Sequence, residues 1–203
     1  MDGAGDTGLN YDTGRNAAPE LAWTMLDGPA DDGALNQSAG SGFYAQLAEL
    51  EGKLYNTWYE ETNGVYQIRV AVHDTAWRFV DGNGDQGLNR TADTDGWCGR
   101  ATSFGDYLYV AWSEGGAGSY HVRLSTLDPS SGVWSAAGPP TGFNRASASV
   151  AEYPRLTATS AALYATWTER IDGAFRVLVM RGTPANTAAG MTAQNLRQQL
   201  GAR

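Results

Sequence analysis

The chain has 203 residues, 42% of them hydrophobic, and a formal net charge of −8; a surface of that sign repels phosphate backbones and anionic headgroups, which excludes nucleic acid and membrane surfaces as partners. Its single cysteine, Cys98, excludes an intrachain disulfide and any cysteine-based metal cluster. With 26 Gly, 7 Trp and 10 Tyr against 18% charged residues, the composition favours short strands and tight turns over charged amphipathic helices, and the expectation is an all-β protein.

In chain order, residues 1–22 hold Gly8-Leu9-Asn10 and Pro19-Glu20-Leu21, a partial copy of a unit met in full further on. The opening Met1-Asp2-Gly3 has neither the basic nor the apolar part of an export signal. Trp23 then leads through Asp27-Gly28 to Gly33-Ala34-Leu35-Asn36, read as a strand and its loop, and Tyr44-Ala45-Gln46-Leu47 as a short strand. Leu54-Tyr55-Asn56-Thr57-Trp58-Tyr59-Glu60 comes next. It is followed by Asn63-Gly64, a hairpin turn signal, and the strand Ile68-Arg69-Val70. Trp77 opens the last piece of the unit, which runs through Asp81-Gly82-Asn83-Gly84-Asp85 to Gly87-Leu88-Asn89.

The same series then recurs. Leu108-Tyr109 to Trp112-Ser113-Glu114 and Leu163-Tyr164 to Trp167-Thr168-Glu169 repeat the Leu-Tyr run at offsets of 108 − 54 = 54 and 163 − 108 = 55 residues. Val122-Arg123-Leu124 and Phe175-Arg176-Val177 repeat the arginine strand, Trp134 to Gly142-Phe143-Asn144 the tryptophan segment, and Tyr153-Pro154-Arg155-Leu156 the short strand. The unit has four strand candidates, which suits a blade of a β-propeller, whose sheets stack radially and bury both faces; solenoid repeats are shorter. Propeller repeats are expected over 23–181, about three of them, with 182–203 a tail holding a short helix around Leu196 and Leu200. Residues 163–181 lack a tryptophan strand after them and Trp23–Asn36 lacks a pair before it, so the ring is expected to close by pairing N- and C-terminal strands or by oligomerisation.

The pattern Leu-Tyr-x-x-Trp-x-Glu, then Ile-Arg-Val, then Trp-x-Phe-Val-Asp-Gly-x-Gly-x-x-Gly-Leu-Asn resembles the repeats of bacterial extracellular propeller proteins with adhesin-like and lectin-like members. That resemblance implies a secreted or cell-surface propeller and carries over no catalytic residue.

Among candidate side chains, the repeated Glu60, Glu114 and Glu169 with Arg69, Arg123 and Arg176 read as cross-strand pairs, each arginine also able to cover a tryptophan face. Trp97 belongs to neither tryptophan series and falls in the polar stretch Thr91–Arg100, taken as a loop. There its ring can hold a sugar's apolar face while Asp93, Asp95 and Arg100 bind hydroxyls. Asp81, Asn83 and Asp85 place oxygen ligands at alternate positions, a partial match to a calcium loop that lacks the closing bidentate acid; no other cofactor is implied. The chain has no HExxH, GxSxG or P-loop.

The expected function is therefore a non-catalytic binding propeller for a carbohydrate or protein partner, acting as a homo-oligomer or within a larger chain. The alternatives are a structural subunit of an extracellular assembly and a glycan-active hydrolase, the last requiring paired carboxylates that converge at the channel mouth.

Overall fold

Two short turns show how the sequence sets the frame. In Asn63-Gly64 both residues take positive φ (54° and 82°), as do Asp172 and Gly173 (49° and 79°), the backbone a two-residue hairpin needs and the one Asn, Asp and Gly tolerate best. The computed structural model describes residues 21–26, 28, 33–82, 84–116, 118–146 and 148–184, and the expectations for residues 1–20 and for a helix in 185–203 lie outside them. The first blade is β1 (Gly42–Leu50), β2 (Lys53–Thr62), β3 (Val65–His73) and β4 (Trp77–Phe79). The second is β5 (Asp95–Phe104), β6 (Tyr107–Gly116), β7 (Ser119–Asp128) and β8 (Val133–Ala136). The third has β9 (Ala151–Ala158), β10 (Leu163–Ile171) and β11 (Ala174–Gly182). Within each sheet the strands are antiparallel and ordered as in the chain. The protein is all-β, with its sheets stacked as propeller blades are.

Period-two alternation decides what each face of a strand buries. Tyr55, Tyr59, Ile68, Val70 and Val72 of the first blade meet Leu108, Val110 and Trp112 of the second in one apolar layer. Ala111, Val122 and Leu124 on the reverse of the second blade meet Ala151, Leu163 and Trp167 of the third. Ile68, Val70 and Trp112 are wholly buried, each such side chain stabilising by roughly 1.5–3 kcal/mol, so the layers between blades form the core.

Register corrects one expectation. Trp58 stands opposite Arg69 and Trp112 opposite Arg123, but Trp167 stands opposite Leu178, and Arg176 faces Glu169 two positions away. Arg176 is thus not the equivalent of the other two arginines. Nor does Arg69 cover a tryptophan: its guanidinium sits over the Phe79 ring at 5.3 Å, with Nε 3.0 Å from Asp81 and Nη1 donating to the Gly84 carbonyl.

The repeated glutamates do more than the expected cross-strand pairing, which is present diagonally in the first blade, where Arg69 Nε lies 4.0 Å from a Glu60 carboxylate oxygen. Each accepts the indole N–H of the tryptophan two residues back, Trp58 to Glu60, Trp112 to Glu114 and Trp167 to Glu169, at 2.9, 2.7 and 3.1 Å. Each also accepts backbone amides from the segment leading into its own blade: Gln37 and Ser38 for Glu60, Arg90 for Glu114, Arg145 and Ala146 for Glu169. Those segments follow Asn36, Asn89 and Asn144. Asn89 accepts from the Ile68 amide and donates to the Tyr66 and Thr94 carbonyls, and Asn144 repeats this with Val122, Tyr120 and Ser149. One blade's third strand is thereby fastened to the next blade's glutamate. The preceding glycines, Gly87 and Gly142, take positive φ of 60° and 86°; a Cβ on Gly87 would strike the Ile68 carbonyl, and one on Gly142 would come within 2.9 Å of the His121 Cβ and 3.0 Å of the Val122 carbonyl oxygen.

At the open ends the expected intrachain closure is not present among the described residues. Residues 21–26 and 33–36 lie in no strand, and β11 is the edge of a three-stranded sheet. The N-terminal segment lies against the first blade, with Trp77 Nε1 donating to the Leu26 carbonyl at 3.0 Å.

Candidate functional site at the inner-strand bulges

The innermost strand of each blade carries the same irregularity. Pairing slips between Phe43 and Gln46 in β1, between Trp97 and Arg100 in β5, and opposite Thr166 to Thr168 in β9. Tyr44, Cys98 and Tyr153 sit in these bulges with φ of 56°, 55° and 57°. A bulge re-aims side chains, and a non-glycine residue held at positive φ is strained by about 1–3 kcal/mol. Three equivalent strained residues therefore face a common centre, where Tyr44, Tyr59, Trp97, Cys98, Glu152 and Tyr153 line a cavity of about 280 Å³ with Ser113 and Tyr120.

Aromatic packing fixes the walls. The Tyr44 and Tyr59 rings stack at 5.8 Å and 17°, and Trp97 packs against Tyr59 at 5.2 Å and against Tyr66 at 4.5 Å. Neighbouring blades are clasped just behind: Gln46 donates to the Ala101 carbonyl and accepts the Ala101 amide, and Arg100 Nη1 donates to the Tyr44 carbonyl at 3.1 Å. Trp97 Nε1 and Ser113 Oγ are buried in the wall without a hydrogen-bond partner among the described residues, an unusual state for buried polar atoms.

Burial pushes the Tyr59 phenol up to about 12, and the Glu152 charge, then burial, raises Tyr153. Both tyrosines are neutral donors at neutral pH. Burial likewise raises Cys98, which keeps it a thiol and a poor nucleophile. Burial, then the Arg155 charge, lowers Arg100, yet a guanidinium stays cationic in proteins. The result is an aromatic chamber with phenolic donors and one carboxylate, Glu152, which suits a ligand with apolar faces and hydroxyl edges.

The structure treats the expected sugar-binding residues unequally. Trp97 lines the cavity, but from strand β5 and not from a loop. Arg100 is on the same strand, turned to the Tyr44 carbonyl. Asp95 accepts the Tyr66 amide at 2.9 Å, and Asp93 lies in the turn before β5; neither is among the cavity-lining residues. Sequence reasoning missed Glu152, Tyr153 and Tyr44. The signal was positional, since Tyr44, Cys98 and Tyr153 each precede the leucine of their Leu-Tyr run by ten residues (54 − 44, 108 − 98, 163 − 153).

Of the calcium candidates, Asp81 is buried and committed to Arg69 and to the Val70 amide. Burial nevertheless pushes its carboxyl above the ordinary range. Asp85 is exposed in the 3-10 turn Gly84–Gln86, and Asn83 lies outside the described residues. Among the described residues no three His, Cys, Asp or Glu side chains stand close enough to hold a metal, and no helix is long and apolar enough to cross a membrane.

No protein family and no curated protein matches the sequence. Solved structures do. An α-L-arabinofuranosidase from Lactobacillus brevis shares 15% identity and a TM-score of 0.48 over 72% of this chain and 54% of its own. A thermostable family-43 glycoside hydrolase shares 15% and 0.49 over 75% and 61%. An arabinanase from Bacillus subtilis shares 15% and 0.42 over 72% and 53%. The chain spans between 53 and 61% of the length of these proteins. All three are glycoside hydrolases. The expectation of a non-catalytic, adhesin-like or lectin-like chain is corrected accordingly: the similar structures are enzymes.

Proposed function

We propose that the cavity at the inner-strand bulges is a glycan-processing site. The observation that carries this reading is the placement of Glu152 with Tyr44, Trp97 and Tyr153 in the lining of one chamber at the strained bulges of three successive blades. Aromatic rings bury the apolar faces of a sugar ring, and the neutral phenols of Tyr59 and Tyr153 donate to its oxygens. Glu152 is the group able to move a proton at a glycosidic oxygen. Hydrolysis uses two carboxyl groups on opposite sides of the bond; this chain's described lining supplies one, and its counterpart would stand across the axis on whatever completes the ring. An extracellular setting, where polymeric glycans are met, goes with this reading.

The test is a panel of oligosaccharides, arabino-oligosaccharides among them, screened for binding by calorimetry and for new reducing ends. The reading expects turnover that Glu152→Gln reduces at least about a hundredfold with binding kept, and binding that Trp97→Ala weakens. A panel with neither binding nor turnover, or turnover unchanged in Glu152→Gln, would sink it.

A further inference from the structure

Among the described residues the third blade presents an unfilled seat, and the chain carries a piece that fits it. Counting from the leucine that starts each second strand, Val177 and Val179 of β11 are the register equivalents of Ile68 and Val70 in β3 and of Val122 and Leu124 in β7. In the first two blades these positions are 0, 0, 1 and 8% exposed, because the following blade covers them; in the third they are 73 and 71% exposed, with Phe175 at 60%. The outer edge of β11 also has no strand beside it among the described residues, whereas β3 pairs with β4 and β7 with β8. Long, apolar, unpaired edges are what natural sheets avoid.

The other half is the segment 21–26. Trp134 of the second blade donates its indole N–H to the Val80 carbonyl, just past the fourth strand of the first blade. Trp77 makes the same bond to Leu26; 80 − 26 is 54 residues, the repeat length, and 134 − 77 is 57, within three residues of it. Residues 23–26 therefore stand beside the first blade where the fourth strand of a preceding blade would stand. They are exposed: Trp23 at 87%, Met25 at 83%, Leu21 at 62%.

We propose that two copies of this chain exchange these segments, residues 23–25 of each adding as the fourth strand to β11 of the other. The register follows from the first two blades, where His73 pairs with Trp77, Val72 with Arg78 and Ala71 with Phe79, and Leu127 with Trp134. By the same count Gly182 of one copy faces Trp23 of the other, Arg181 faces Thr24 and Met180 faces Met25. The second copy's first blade, carried along by its Trp77–Leu26 bond, then comes to rest over Val177 and Val179. The exchange is reciprocal, so the interface is isologous and the assembly closes. Three sheets from each copy make a ring of six, within the usual span of about four to eight blades.

The experiment mixes two single variants, Thr24→Cys and Arg181→Cys, with buried Cys98 left in place, and oxidises them. The expected result is a covalent heterodimer on a non-reducing gel that neither variant forms alone. Light scattering of the unmodified chain is expected to give twice the chain mass at high concentration, and Val177→Asp/Val179→Asp to weaken that dimer at least about a hundredfold. A cross-link formed within one chain of the Thr24→Cys/Arg181→Cys double variant would overturn the proposal. So would a monomer at every concentration, or a dimer by mass that the mixed cysteines do not trap.

Discussion

The indole nitrogen of Trp112 lies 2.7 Å from a Glu114 carboxylate oxygen, both residues on one strand and both buried. The same carboxylate accepts the Arg90 amide and the Thr94 hydroxyl from the segment entering the blade. One side chain thus terminates two N–H donors, while the Thr94 hydroxyl also has the Thr91 carbonyl at 3.0 Å. Glu114→Ala is expected to destabilise by about 3 kcal/mol, because the Trp112 indole and the Arg90 amide lose their acceptor, and Glu114→Gln by less, since its amide oxygen still accepts. Urea denaturation checks both; equal losses would mean that packing and not the acceptor matters.

Arg69 and Asp81 form a buried pair, with Glu60 4.0 Å from the same Nε, and the third blade has Leu178 at the arginine's position. Removing one partner of a buried pair leaves an uncompensated charge and costs about 3–5 kcal/mol. Arg69→Leu alone is expected to fall in that range. Arg69→Leu/Asp81→Asn should regain at least half, because the neutral side-chain amide still offers an oxygen to the Val70 N–H that Asp81 serves. No recovery in the double variant would contradict this account.

Acid should loosen the third blade through Glu169. Burial raises that carboxyl, but the Arg145 and Ala146 amides, the Ser149 hydroxyl and the Trp167 indole outweigh it and hold it below the ordinary range. A depressed carboxyl contributes stability that is present above its unfolded value and lost as pH falls through the folded one. Stability measured from about pH 5 downward should therefore decline in the unmodified chain and decline less steeply in Glu169→Gln.

Alkali should act at the cavity. Tyr59 is raised by burial to about 12, so its contribution is intact below the unfolded value near 10 and is lost as pH climbs through 12, on the order of 2 kcal/mol in all. Tyr59→Phe is expected to flatten the alkaline limb of a stability profile between those values.

Tyr153 offers a separation of stability from function. Its φ of 57° is strained and its side chain is 53% exposed. Glycine relieves that backbone at little loss of packing. Tyr153→Gly is expected to leave stability unchanged or raise it by about 1 kcal/mol while weakening oligosaccharide binding, the trade expected of a strained functional residue. A loss of stability would show that the ring packs more than it strains.

The repeat, the four-strand unit and the hairpin turns were legible because each depends on local residue types recurring at fixed distance. Arg176 misled, since the triplet Phe-Arg-Val resembles Ile-Arg-Val while standing 13 and not 15 residues after its leucine (176 − 163 against 69 − 54). The glutamates were legible as repeated but not in role, because their amide donors lie more than twenty residues earlier in the chain. The cavity was hidden for a different reason. Its three bulge residues, Tyr, Cys and Tyr, share a backbone conformation and no side-chain chemistry, and Thr91–Arg100 looks like a loop when the β5 ladder is unseen.

The Asn–Glu fastening places each clasp across the joint between blades, not inside a blade. A fragment cut at a sheet boundary would keep its glutamate and lose the amides that feed it, so neither a single sheet nor a single sequence repeat is a self-sufficient folding unit. Order should then spread along the chain as in other repeat arrays, each blade setting only when its predecessor's outgoing segment has arrived. Duplication or loss of a unit would succeed where the break falls within a hairpin's reach of the asparagine, carrying clasp and socket together, and fail where it parts them.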